Sequence, residues 1–161
     1  MVGEIRPGEI ALEGAAAPEG PRLRFIGRIR SPWGPEDCPK NIGKARETGR
    51  GARIELDRDF VPALLGLELG QPVILLYWMD RARRDLLRQA PRHVEGPRGT
   101  FALRSPNRPN TISQCTVRIT GIDAAAGTIG IDAIDCFDGT PLLDIKPWLA
   151  TIDMPPEAGT N

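Results

Sequence analysis

A chain of 161 residues, 40% of them apolar, is long enough for one domain with a substantial core. Its 21 Lys plus Arg balance 21 Asp plus Glu, so the formal net charge is zero. That balance argues against an unusually basic nucleic-acid binder and leaves room only for a local basic patch.

Residues 1–21 and 155–161 have little apolar content to dock, and both are expected to be flexible tails around a single domain over 22–154. Glu4, Glu9 and Glu13 interrupt any basic-then-apolar leader pattern, and no apolar run has the length of a membrane span. Alternation predicts a first strand over Leu23 to Ile29, with Leu23, Phe25 and Ile29 on one face and Arg22, Arg24, Arg28 and Arg30 on the other. The arginine stripe reads first as a solvated face and second as a phosphate-facing one. Ser31 to Arg50 is punctuated by proline and glycine and reads as a long irregular segment. A strand is expected at Ala52 to Leu56. A helix capped by Asp59 follows, with Pro62 in its first turn and Gly66 near its end.

Val73 to Trp78 is a continuous apolar run, which predicts a central strand buried on both faces. Asp80 as a cap and the Arg81, Asp85 and Arg88 spacing predict a short basic helix to Gln89, with a loop from Pro91 to Gly99. Strands are expected again at Thr100 to Leu103, at Cys115 to Thr120, at Ile129 to Ala133 and at Leu142 to Ile145. Strands outnumber helices and rarely flank them. The fold class is therefore mainly β, a small antiparallel β-barrel or sandwich with short helical inserts.

The common catalytic signatures are missing: no glycine-rich dinucleotide or phosphate loop, and no nucleophile elbow. The one histidine, His93, excludes a multi-histidine metal centre and reads as an exposed loop residue. No metal site is expected. Cys38, Cys115 and Cys136 lack metal-ligand spacing and suit a reduced, cytoplasmic protein; Cys38, in the long loop, is the one candidate for reactivity.

Two proline-punctuated runs are stiffer and more polar than turning requires. Arg104-Ser105-Pro106-Asn107-Arg108-Pro109-Asn110 offers guanidinium forks and amides on a loop stiffened by proline. Asp138-Gly139-Thr140-Pro141 opens with a turn signal and continues through Asp144 and Lys146, which are spaced to pair along one strand face.

Together with Ile26-Gly27-x-Ile29-Arg30-Ser31-Pro32 and Asp37-Cys38-Pro39-Lys40-Asn41, these runs resemble the TsaA-like family, whose characterised branch is TrmO. The resemblance covers Phe25 to Pro147. It implies a TsaA-like β-barrel that binds S-adenosylmethionine, usually as a homodimer. It also implies methylation of N6 of threonylcarbamoyladenosine next to a tRNA anticodon. Carried over by motif, the cofactor-binding positions are Pro39, Lys40, Asn41, Met79, Asp80, Arg104, Asp138, Gly139, Thr140 and Pro141. Arg108, Asn110 and Lys146 are the expected substrate contacts. Arg28, Arg30, Arg81, Arg83, Arg84 and Arg108 would meet phosphates, and Asp80 and Asp138 are the candidate proton acceptors. Transfer to a small-molecule acceptor, or cofactor binding without turnover, are the alternatives.

The chain departs from the family pattern at several positions. Thr111 and Ser113 stand where proline and glycine are usual, Asp80 where a strand ends in histidine, Asn41 for glutamine and Trp148 for tyrosine. The larger C-terminal extension of some tRNA-methylating members is not expected here.

Overall fold

The computed structural model describes residues 4–12, 20 and 22–157. Much of the expected N-terminal tail, and residues 158–161 of the C-terminal one, lie outside the described residues. The chain divides into two compact units. One combines residues 25–77 with 114–161, and the other combines 1–24 with 78–113.

The first unit is a closed antiparallel barrel. Its strands are β2 (Gly27–Arg30), β3 (Ala52–Leu56), β4 (Pro72–Trp78), β7 (Ile112–Asp123), β8 (Thr128–Ile131) and β9 (Thr140–Pro147). They close in the order β2-β3-β8-β7-β4-β9. Alternation explains the core. Ile29, Ile54, Leu75, Val117, Ile119, Ile129, Ile131 and Leu142 are buried, while Arg28, Arg30 and Arg53 point outward on the same strands. Val73, Ile74, Leu75 and Tyr77 make β4 the expected central strand. Gly27 permits a close strand crossing, because a Cβ there would lie 2.2 Å from the Glu55 carbonyl oxygen. The β7–β8 hairpin turns through Gly127 at φ +67.

The second unit holds a three-stranded sheet in the order β1-β5-β6, built from β1 (Ile10–Ala11), β5 (Leu86–Gln89) and β6 (Arg98–Gly99). Glu9 precedes β1; its carboxylate, only 2% exposed, is held by Arg6 at 3.1 Å through Nε, and it accepts from the Ala90 amide.

Several expectations are corrected. The strand expected from Leu23 is β2 and begins at Gly27; Leu23 and Phe25 are exposed, so the alternation over 22–26 has no core to face. The helix expected over 81–89 is a turn followed by β5. Arg83 bonds Asp85 two residues away, a spacing that suits extended backbone, and pairing with β1 and β6 overrides the local helical signal. Thr100–Ala102 is a 3-10 turn, not a strand. The helix near Asp59 is a 3-10 helix over Arg58–Leu64, entered from Asp57 without a side-chain cap. The irregular segment contains a short helix, α1 (Ile42–Glu47). A second, α2 (Ala150–Asp153), follows β9. Among the described residues no helix is long and apolar enough to cross a membrane.

Candidate functional site

The Asp138 to Pro141 turn is held from below by the barrel. The Asp138 amide donates to the Trp33 carbonyl and the Gly139 amide to the Ile29 carbonyl, both at 2.9 Å. The Thr140 amide and hydroxyl both donate to the Phe137 carbonyl. Gly139 takes φ +80, a backbone state that strains any side chain, which explains glycine there. The turn's three amide donors are therefore spent inside the protein, and Pro141 has none. What the turn presents is its carbonyls and the Asp138 carboxylate. One carboxylate oxygen accepts from the Ser31 amide at 3.1 Å, and the other lies 3.8 Å from Arg30. The Gly139 carbonyl accepts from Arg28 at 3.2 Å.

Asp138 lines an open depression of about 650 Å³ on the barrel unit, together with Arg30, Ser31, Arg53 and Thr120. Glu55 braces the two guanidinium groups from opposite sides, at 2.7 Å from Arg30 and 2.6 Å from Arg53. Its hydrogen bonds to Arg30 and then Arg53 lower the Glu55 carboxyl pKa. Register brings this cluster together on the barrel's exposed side: Arg28 pairs with Glu55, and Arg30 with Arg53.

The other barrel positions have local roles. Asn41 caps α1, its side-chain oxygen accepting from the Lys44 amide at 2.9 Å. Pro39 accepts a weak bond from the Cys38 thiol, and Lys40 is exposed. Lys146 pairs with Asp144 at 2.6 Å on β9, as their spacing predicts, and this raises the Lys146 pKa. Burial, then the Asp135 and Asp37 carboxylates, push the Cys38 thiol up to about 11, so the expected reactive cysteine stays protonated at neutral pH. Cys115 and Cys136 are buried free thiols. Tyr77 donates to Asp135 at 3.0 Å, and burial raises its pKa.

In the second unit, the proline-rich loop is stapled to its own neighbours. Arg108 donates to the Leu103 and Ser105 carbonyls, and its amide to the Arg83 carbonyl. Asn107 accepts from the Arg83 amide, and Arg84 donates to the Pro109 carbonyl while lying 5.2 Å over the Trp78 ring. The Met79 amide donates to the Thr111 carbonyl at 2.8 Å, joining the end of β4 to the end of the loop. The Asn110 carbonyl accepts from the Ile112 amide. Asp80, Arg104 and Asn110 are exposed. Ser113 lies in β7, and among the described residues only glycines have positive φ, so the serine carries no strain. Thr111 differs: it is buried, and its hydroxyl has no hydrogen-bond partner among the described residues.

A family model described as the tRNA-methyltransferase O N-terminal domain matches residues 28–154. The chain belongs to the TrmO family. It is 31% identical to TrmO from Pseudomonas aeruginosa, whose crystal structure superposes with a TM-score of 0.66 over 88% of this chain and 62% of that one. A protein of Archaeoglobus fulgidus named as a probable S-adenosyl-L-methionine-binding protein is 40% identical over 136 residues. That alignment covers 82% of this chain and 35% of the relative. The probable S-adenosyl-L-methionine-binding protein VirR of Rhizobium radiobacter is 35% identical, over 89% of this chain and 79% of its own length. The chain thus spans less than two thirds of the first and second of these proteins and most of the third.

Within this TrmO-family chain the sequence motifs lead to Asp138 but miss Arg30, Ser31, Arg53 and Thr120 as its companions in the depression. Arg30 and Ser31 stand inside a family motif, which is a usable signal. Arg53 and Thr120 carry none, because strand pairing alone brings them there.

Proposed function

We propose that this chain is an S-adenosylmethionine-dependent methyltransferase that modifies N6 of threonylcarbamoyladenosine in tRNA, next to the anticodon. It would act as a cytoplasmic homodimer. The observation that carries the reading is family membership over residues 28–154. The names of the relatives support the cofactor, and three free thiols agree with a reducing compartment.

The depression beside Asp138 suits such a cofactor. Its wall offers a carboxylate and two guanidinium groups. A zwitterionic amino-acid group needs both signs. We assign Asp138 to an ammonium group and Arg30 to a carboxylate. On the barrel unit, Pro39, Lys40, Asn41, Gly139, Thr140 and Pro141 are proposed as further cofactor contacts; the family motifs also assign Met79, Asp80 and Arg104 to the cofactor. Arg108, Asn110 and Lys146 are proposed for the acceptor.

When bound, S-adenosylmethionine supplies a methyl group already activated by the sulfonium charge. The chain's own work is to align the acceptor nitrogen in line and keep water out. The methyl–sulfur bond would break as the acceptor nitrogen takes the methyl, leaving a neutral thioether; Asp80, or Asp138 where the cofactor does not engage it, would take the proton the nitrogen gives up. A second reading, cofactor binding without turnover, draws on relatives named only for binding.

Calorimetry with S-adenosylmethionine tests the first step; a folded protein that gives no heat defeats the proposal. Labelled methyl transfer to total tRNA, against a small-metabolite extract, tests the second. Label in the tRNA supports the proposal, label in a metabolite redirects the acceptor, and binding with no label in either favours the second reading.

A further inference from the structure

Trp33 stands just beyond the Ile26 to Pro32 motif, and none of the readings above gives it a role. Of the three tryptophans it alone is buried, at 6% exposure. A buried indole needs a partner for its N–H. Here Nε1 donates to the Ile134 carbonyl at 2.7 Å. Arg50, itself exposed, covers the ring with its guanidinium carbon 4.6 Å from the centroid.

The backbone of Trp33 reaches two further groups. Its amide donates to the Ser31 hydroxyl at 3.2 Å, and its carbonyl accepts from the Asp138 amide at 2.9 Å. Ser31 closes the circuit, because its own amide donates to the Asp138 carboxylate at 3.1 Å.

These partners belong to the wall of the depression. Ser31, Pro32, Gly51 and Asp138 all line it. Trp33 follows Pro32, Arg50 precedes Gly51, and Ile134 lies four residues before Asp138. Three segments far apart in the chain therefore meet at one indole that does not itself line the depression. The Asp138 side chain is 54% exposed, so burial does little to set its direction. The groups that do set it, the Trp33 carbonyl on its amide and the Ser31 amide on its carboxylate, are both tied to Trp33.

We propose that Trp33 is a positioning residue for cofactor binding: its indole, bonded to Ile134 and covered by Arg50, fixes the backbone that sets the Asp138 carboxylate in the wall of the depression. Holding that carboxylate in place before a ligand arrives lowers the ordering cost of binding. The inference rests on the reading of the depression as the cofactor site, with Asp138 on the ammonium group, and adds a residue that the reading lacks.

The test is calorimetry with S-adenosylmethionine. Trp33→Phe keeps a ring for Arg50 and deletes the indole N–H, which leaves the buried Ile134 carbonyl without that donor; affinity should fall about tenfold. Arg50→Gln keeps the indole bond and deletes the cation over the ring; affinity should fall about 2- to 5-fold. Glu9→Gln, outside the barrel unit, should leave affinity unchanged and controls for lowered stability as such.

A double-mutant cycle separates positioning from a general structural defect. Asp138→Asn keeps an oxygen for the Ser31 amide and loses the charge. In that background Trp33→Phe should cost little further affinity, whereas a general defect would cost its full factor again. If Asp138→Asn binds too weakly to titrate, methylthioadenosine, which lacks the amino-acid group, replaces it as the probe. Trp33→Phe should leave methylthioadenosine affinity unchanged, and an equal loss for both ligands would overturn the inference. If Trp33→Phe does not fold, Arg50→Gln carries the same comparisons. Wild-type affinity in the folded variants, additive losses in the cycle, or an Asp138→Asn variant of wild-type affinity would each overturn the inference and leave the methyltransferase reading standing. A folded wild-type protein that binds no cofactor defeats that reading itself, and the inference with it.

Discussion

Thr111 offers a test in which the direction of the effect is unusual. Its side chain is 1% exposed, and its hydroxyl finds no hydrogen-bond partner among the described residues. A buried hydroxyl stripped of water and left unpaired costs about 1 to 3 kcal/mol. Valine has nearly the same shape and replaces that hydroxyl with a methyl group. Thr111→Val should therefore stabilise the protein by about 1 to 3 kcal/mol, against the general trend for core substitutions. The Thr111 carbonyl, which holds the Met79 amide at 2.8 Å, belongs to the backbone and is untouched. At this chain length each kcal/mol raises Tm by about 2 to 4 °C. Urea unfolding is the assay: the midpoint should rise with the m-value unchanged. A fall in stability of about 1 kcal/mol or more would refute the reasoning, because it would mean that the hydroxyl is bonded in solution.

Gly27→Ala should destabilise the barrel by about 3 kcal/mol, since its Cβ would fall 2.2 Å from the Glu55 carbonyl oxygen and only backbone movement relieves that; a thermal melt at wild-type Tm would contradict it. The Arg6 hydrogen bond, partly offset by burial, holds the Glu9 carboxyl down from 4.5 to about 2. Its stabilising effect is thus fully present above pH 4.5 and is lost as pH falls through about 2. Glu9→Gln should cost about 1 kcal/mol near neutrality, a figure discounted because Arg6 is half exposed, and the gap in Tm between variant and wild type should close toward pH 2. Arg104→Ala should weaken S-adenosylmethionine binding about tenfold by calorimetry if its guanidinium meets the ligand; unchanged affinity removes it from the site. Cys38 should resist alkylation at pH 8 in the folded protein and react on unfolding, followed with a thiol reagent, because its pKa sits at about 11.

The family motifs are legible in the sequence because each is contiguous. Asp138-Gly139-Thr140-Pro141 reads as a polar turn from its own residues, and Gly139 indeed takes a positive φ in the folded chain. The helix expected over 81–89 shows where this legibility stops. Arg81, Asp85 and Arg88 have helical spacing, yet Leu86 and Gln89 enter a sheet whose partners lie near residues 10 and 98. Spacing within nine residues carries no information about those partners. The same limit hides Arg53 and Thr120 as neighbours of Asp138.

By itself the sequence determined a mainly β class, barrel or sandwich, and most of the strands, and the family resemblance of its motifs chose the barrel. Period-two alternation in Cys115 to Thr120 and Ile129 to Ile131, and the apolar run in β4, are local consequences of which side chains avoid water. Only the tertiary structure decided which polar groups remain available. Barrel closure spends the amides of the Asp138 turn on Ile29 and Trp33, and the loop staples spend Arg108 and Arg84. Hydrogen bonds and ion pairs are chosen among neighbours in space, and those neighbours exist only once the chain has folded.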